Sequence, residues 1–192
     1  MVKKISRDIC LIKYRKLPLC EYEKESDDYV TYCPKFNSFY WLKLADNSEK
    51  NTIKEVVLLI QKLNIDNFIF FGEINKPWIS KFTESRKDFK VLTKAIEYFK
   101  SCRIIKRFNG AVKVNSEDFE EFLENFYIIT KCDGGFSDFN FVDENQNFIF
   151  YIHYSGEFKV LTLNTKSNKD FLINIMKTKF IDSERENTNR IE

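Results

Sequence analysis

Glycine and proline are scarce in this 192-residue chain, with five and three copies, and histidine occurs once. So little glycine leaves no phosphate-cradling loop: no G-x-G-x-x-G, G-x-x-x-x-G-K-[ST] or G-x-S-x-G pattern is present. The glycine pair Gly134-Gly135 precedes a strand-like run, so it lacks the helix N-terminus that holds phosphate in such loops. Collagen-like repeats and low-complexity disorder are excluded on the same grounds. Charge of one sign is also missing. Thirty-one Lys and Arg face 29 Asp and Glu, a formal net charge of +2, without the basic excess of a dedicated nucleic-acid binder. No apolar run exceeds the five residues of Val56–Ile60, far below the roughly 18 that would suggest a membrane span. Near the N-terminus the longest such run is Ile9–Ile12, too short for the roughly 7–15 residues of a signal-peptide core. The five cysteines (Cys10, Cys20, Cys33, Cys102, Cys132) are odd in number and widely spaced, with no C-x-x-C pair. They read as free thiols rather than a disulfide framework or zinc knuckle, and the chain is expected to be cytoplasmic.

What is present is core material. Apolar residues make up 43% of the chain and charged ones 31%, with a mean hydropathy of -0.40, which suits one domain with a proper core. Ile9–Tyr14 and Phe39–Leu44 have the branched and aromatic content of strands, separated by the acidic stretch EYEKESDD, read as a loop. Ile53, Val56, Ile60 and Leu63 recur at helical steps behind Asn47 or Ser48 as cap. Residues 67–71 (NFIFF) form a strand covered on both faces, and the stretch with Gly72 and Pro77 reads as a loop. Phe89, Leu92, Ile96 and Phe99 mark a second helix over 86–100. Asn109-Gly110 predicts a type I′ hairpin between CRIIKRF and AVKV. Phe119, Phe122, Leu123, Phe126 and Tyr127 stripe a third helix capped by Asn115 or Ser116.

A three-strand meander follows: DFNFV, NFIFYIHY and FKVLTL. A two-residue turn at Ser155-Gly156 would pair Tyr154 with Glu157, Ile152 with Lys159 and Phe150 with Leu161. Both faces of that meander are apolar enough to need a cover: helices on one, and on the other the N-terminal strands, a last helix over 169–180 or a second copy of the chain. The expected fold is α+β, a mostly antiparallel sheet with a C-terminal meander, packed by three to four helices. It forms one domain over 1–181 with a disordered polar tail over 182–192.

Catalytic groups are few. Any histidine mechanism must run through His153, in mid-strand, and a dyad with Cys132 is the form it would take. Asp143 at one strand end and Glu157-Phe158-Lys159 on another match the arrangement of a superfamily of metal-dependent nucleases, in which two carboxylates hold Mg²⁺ and the Lys helps activate water. With 17 Glu and 24 Lys in the chain, chance alone gives about two Glu-x-Lys triplets, so the single one carries little weight. Neither a cofactor nor a metal is expected.

The compositional outlier is aromatic: 20 Phe, nine Tyr and two Trp. Interleaved with Lys and Arg over Tyr98–Lys113 they could stack bases, but their helical and alternating spacing makes them core volume first. Trp78, behind Pro77, is either a lid on the core or an anchor for a partner. Charge is segregated as well. Glu117, Asp118, Glu120, Glu121 and Glu124 share the third helix with no Lys or Arg over 116–127, whereas 86–113 is strongly basic. Acids suit a helix N-terminus, and a face of one sign also steers a partner of the other.

The stretches RFNGAVKVNSEDFEEFLENF and DFNFVDENQNFIFYIHYSGEFKV, within 103–163, resemble segments of small bacterial proteins encoded beside toxins as immunity factors: a hairpin, an acidic helix and an aromatic meander. That resemblance implies a cytosolic inhibitor that binds one toxin and catalyses nothing. The leading expectation is therefore a protein-binding module facing a basic toxin domain through Glu117, Asp118, Glu120, Glu121, Glu124 and Trp78. The alternatives are a metal-dependent nuclease or phosphodiesterase using Asp143, Glu157 and Lys159, and a homodimeric structural protein that hides one sheet face.

Overall fold

A computed structural model describes residues 2–46, 48–72, 77–86, 88–105, 107–133, 139–185 and 191. Ten strands and six helices are found among them. Eight strands form one antiparallel sheet in the order β1 (Lys3–Ile5), β6 (Ala111–Asn115), β5 (Asn67–Phe71), β7 (Asn140–Asp143), β8 (Phe148–Ile152), β9 (Phe158–Thr162), β4 (Ser38–Leu44) and β10 (Phe180–Asp182). The other two, β2 (Leu19–Glu23) and β3 (Asp28–Tyr32), form a separate ribbon. The fold is α+β, as expected, but the helices number six rather than three to four. No helix among the described residues is long and apolar enough to cross a membrane.

One face of the sheet carries α2 (Glu49–Lys62), α4 (Lys90–Ser101), α5 (Phe119–Cys132) and α6 (Thr165–Ile175). Their apolar stripes meet alternate residues of the strands, and phenylalanine dominates the contact. Phe70, Phe141, Phe150, Phe158 and Phe180 run across β5, β7, β8, β9 and β10 as stacked neighbours, with centroid separations of 4.6 Å, 5.1 Å, 5.7 Å and 5.8 Å in turn. Phe119, Phe122 and Phe126 of α5 close on Phe70 from above. Each ring removed from water in this way contributes on the order of 1.5–3 kcal/mol. Helices α2 and α6 carry side-chain caps at their starts, whereas α5 starts at Asp118, without a side-chain cap bond, rather than at the expected Asn115 or Ser116. Ser48 caps α2 through its side chain on Asn51 N, and Asn164 with Ser167 forms a capping box on α6.

Part of the second face is covered by a helix where a strand was expected. Residues 7–13 form α1 (Arg7–Lys13), capped by Ser6, whose hydroxyl accepts from Ile9 N. Cys10, Tyr14 and Leu17 are buried at helix-like spacing against Ile69, Phe71, Ala111, Val142, Ile149 and Leu161 of the sheet. Ile9 and Ile12, which made the segment look like a strand, face solvent. Glu144 fastens α1 to the sheet: Lys113 Nζ of β6 donates to it at 2.6 Å, Lys13 Nζ at 3.3 Å and Tyr14 Oη at 3.4 Å.

Five further expectations change. EYEKESDD is not a loop but the tip of the β2–β3 ribbon, with Glu23 opposite Asp28 and Asp27 at φ 54°. The Asn109-Gly110 hairpin does not form, because β6 is an interior strand paired to β1 and β5 and has no vacant side for a preceding arm. Gly110 is needed there for a close approach instead: a Cβ would sit 2.4 Å from Ile5 O. A short helix, α3 (Lys81–Ser85), stands in the segment read as loop. The β8–β9 register is also shifted by one residue. Ile152 pairs with Phe158, Tyr151 with Lys159 and Phe150 with Val160, around a three-residue turn in which Gly156 takes φ 90°. That shift puts Phe158 and Val160 on the helix face and Lys159 on the other. In the expected polar tail, Asp182 belongs to β10 and Ser183 donates its N–H to Trp41 O. Residues 186–190 and 192 of it lie outside the described residues, as do Gly134 and Gly135.

Candidate functional site

Two surfaces hold the chain's chemistry, one on each side of the sheet. The first is the outer side of α5. Its inner residues, Phe119, Phe122, Leu123 and Phe126, are buried, which turns Glu117 (just before the helix), Glu120, Glu121 and Glu124 outward. Their steps of three and four place them on one stripe. Asp118 is the N-cap and is part-buried, so it belongs to the helix start rather than to the stripe. Two residues of the basic segment that precedes α5 pair with acids outside that helix: Lys100 with Glu84 at 2.8 Å and Lys113 with Glu144.

Trp78 takes the first of its two expected roles. It is 1% exposed, ringed by Phe99, Phe108, Phe122, Phe126 and Phe139, and its Nε1–H donates to Gly110 O at 2.8 Å. An indole so enclosed presents no surface to a partner, because burying it in the α4–α5 core satisfies both its ring and its N–H.

The second surface is a cleft of about 340 Å³ on the face opposite α5. The β8, β9 and β4 strands supply its floor, since Tyr151, Lys159 and Trp41 are successive cross-strand neighbours. Pro18, Thr31 and Cys33, at the base of the β2–β3 ribbon and beyond it, line the cleft together with Arg185. Lys159 Nζ lies over the rings of Trp41 (5.1 Å) and Phe39 (5.2 Å), and the Arg185 guanidinium lies 4.6 Å from the Trp41 centroid. Burial draws the Lys159 ammonium below its ordinary value; Cys33 opposes this and Arg185 adds to it.

At the cleft's edge, Glu157 Oε2 accepts from Arg185 Nε at 2.9 Å and from Ser155 Oγ at 3.0 Å. Burial alone would raise this carboxyl, but its bonds from Arg185, Ser155 and Ser183 outweigh that and hold it below the usual range. The His153 imidazole is drawn down by burial and by Arg185, against the pull of Glu157. Its Nδ1 lies 2.6 Å from Ser155 Oγ and 3.3 Å from Ser155 N.

Glu157 and Lys159 therefore share one face and one edge, but Asp143 does not join them. It lies at the β7–β8 turn, on the helix side, 2% exposed, and its Oδ1 accepts the backbone N–H groups of Asn147 (2.7 Å) and Phe148 (2.6 Å). The length of β8, roughly 15 Å for five residues, separates that turn from Glu157. Burial raises the Asp143 carboxyl despite those hydrogen bonds. Cys132 packs against the helix-side core and His153 sits on the opposite face, so they form no dyad. No group of three or more His, Cys, Asp or Glu among the described residues could hold a metal ion.

Sequence reasoning did not single out Trp41, Tyr151 or Arg185 for a site. They stand far apart in the chain and converge only through the β8–β9–β4 pairing and the turn after β10, which no local spacing reveals. Comparison of the chain with family models, with curated proteins and with solved structures found no match to any of them.

Proposed function

We propose that this protein is a non-catalytic protein-binding module that docks a basic partner through the outer side of α5. In the finer form of this reading it is a cytoplasmic inhibitor that neutralises a toxin. The supporting observation is the exposed stripe of Glu117, Glu120, Glu121 and Glu124, carried on a helix whose inner side is locked into the phenylalanine core. A rigid stripe of one sign accelerates encounter with a complementary surface and disfavours wrong partners. The toxin assignment is supported by the sequence resemblance of 103–163 to immunity proteins.

The test is to purify the partner retained by the wild-type chain and measure its association rate with wild type and with the Glu120→Lys/Glu121→Lys double variant. The reversed variant should associate about tenfold more slowly at low salt, with the gap closing as salt screens it. Equal rates at low salt would overturn the acidic-face reading. For the finer reading, the partner should arrest growth when produced alone and cease to do so when produced with this chain.

A further inference from the structure

The cleft on the second sheet face goes beyond the protein-docking reading and does not depend on it. Among the described residues its two cationic side chains, Lys159 and Arg185, outnumber the one carboxylate at its edge, Glu157. Lys159 Nζ has no hydrogen-bond or ion-pair partner among the described residues and rests on two aromatic rings. Arg185 engages Glu157 through Nε, and its guanidinium lies along Trp41. Glu157 is the carboxylate held within this group, and it is already engaged by Arg185 and Ser155. Among the described residues, Lys159, Arg185 and Glu157 together leave one positive charge uncompensated beside Trp41, Tyr151 and Leu161.

We propose that this cleft binds a small organic anion with a flat aromatic body, its carboxylate or phosphate held by Lys159 and Arg185 and its ring lodged among Trp41, Tyr151 and Leu161. Size supports a small ligand over a macromolecule. The 340 Å³ cleft stands near the lower end of the about 300–1,000 Å³ typical of small-molecule sites. A docking helix is about 10–12 Å across and would not enter. Charge selects the sign of the ligand: a half-buried ammonium without a counter-ion among the described residues gains both an ion pair and a charge-assisted hydrogen bond from an anion, but only the hydrogen bond from a neutral acceptor. Burial's hold on the Lys159 ammonium would be relieved by the same contact.

The two tryptophans provide an internal control, because Trp41 borders the cleft whereas Trp78 is buried on the far side of the sheet. The experiment titrates ¹⁵N-labelled full-length protein with indole-3-carboxylate and with adenosine 5′-monophosphate, following both indole N–H resonances, with the Trp41→Phe variant for assignment. Neutral adenosine and inorganic phosphate serve as the ring-only and charge-only probes. At least one aromatic anion should move the Trp41 signal saturably at sub-millimolar to millimolar concentration and leave that of Trp78 in place. Which one binds tells a carboxylate site from a phosphate site. Adenosine and phosphate should each bind at least about tenfold more weakly, as should the best anion to the Lys159→Met variant. The Glu120→Lys/Glu121→Lys variant should bind as wild type, so that failure of the docking reading and failure of this one are told apart. No saturable Trp41 shift with either anion, or equal affinity in Lys159→Met, would overturn the proposal.

Discussion

The two faces of the sheet are made from the same strands, yet they do different work. On the helix face, Phe70, Phe141, Phe150, Phe158 and Phe180 stack from β5 to β10 as the centre of the core. On the other face, the row Trp41–Lys159–Tyr151 combines rings with a desolvated cation, and α1 covers only the half of the sheet beyond it. The difference arises from single-residue alternation: in Phe158-Lys159-Val160 the two flanking residues enter the core and the middle one enters the cleft. Within β9, a core side chain and a cleft side chain are thus separated by the thickness of one sheet.

The comparison breaks most visibly on the helix face. Phe141→Ala removes a ring that stacks on Phe70 and Phe150, and chemical denaturation should show a loss of about 3–5 kcal/mol. A smaller loss, about 1–3 kcal/mol, is expected for Gly72→Ala, because the added Cβ would meet the Phe139 ring at 2.4 Å. Gly72 also lines the cleft, so this variant should disturb both faces at once. Asp143→Ala should cost about 1–3 kcal/mol by orphaning the Asn147 and Phe148 amides, whereas Asp143→Asn, which keeps an acceptor, should cost less than half of that. A carboxylate that worked as a metal ligand would show the reverse preference in function, with Asn as damaging as Ala.

The smallest effect is a pH slope. Glu144 is held below its ordinary value of 4.5, first by the hydrogen bond from Lys113, against burial and with help from Lys13. A depressed carboxyl stabilises the fold above its unfolded pKa and loses that contribution as pH falls through the folded one. Asp143, raised by burial, works in the opposite sense: its contribution is largest at low pH and is lost as pH rises. Stability measured between pH 3 and 6 should therefore fall less steeply toward acid in Glu144→Gln than in wild type, and more steeply in Asp143→Asn.

Much of the helix face could be read in advance, because its periodicity is local. Phe119, Phe122, Leu123 and Phe126 announce α5, and NFIFF announces a strand buried on both sides. The second face could not, for three physical reasons. Ile9 and Ile12 lend α1 a strand-like composition, while the residues that decide its conformation are the Ser6 cap and the buried Cys10 and Tyr14. Gly156 lengthens the β8–β9 turn by one residue and so exchanges the faces of β9 relative to β8. Trp41, Lys159 and Arg185 come together only through long-range pairing, so Lys159 was visible as a candidate while its true neighbours were not. The acidic stripe needed nothing long-range and was readable in full; only Asp118 moved, into the helix cap.

The division of labour between the faces is tested most directly at adjacent positions on β9, by urea unfolding of Phe158→Ala and Lys159→Met. The account predicts a loss of about 3–5 kcal/mol for the first and a change within about 0.5 kcal/mol, or a gain, for the second. Comparable losses for the two would contradict it, because the cleft row would then be holding the fold together as much as the phenylalanine stack does.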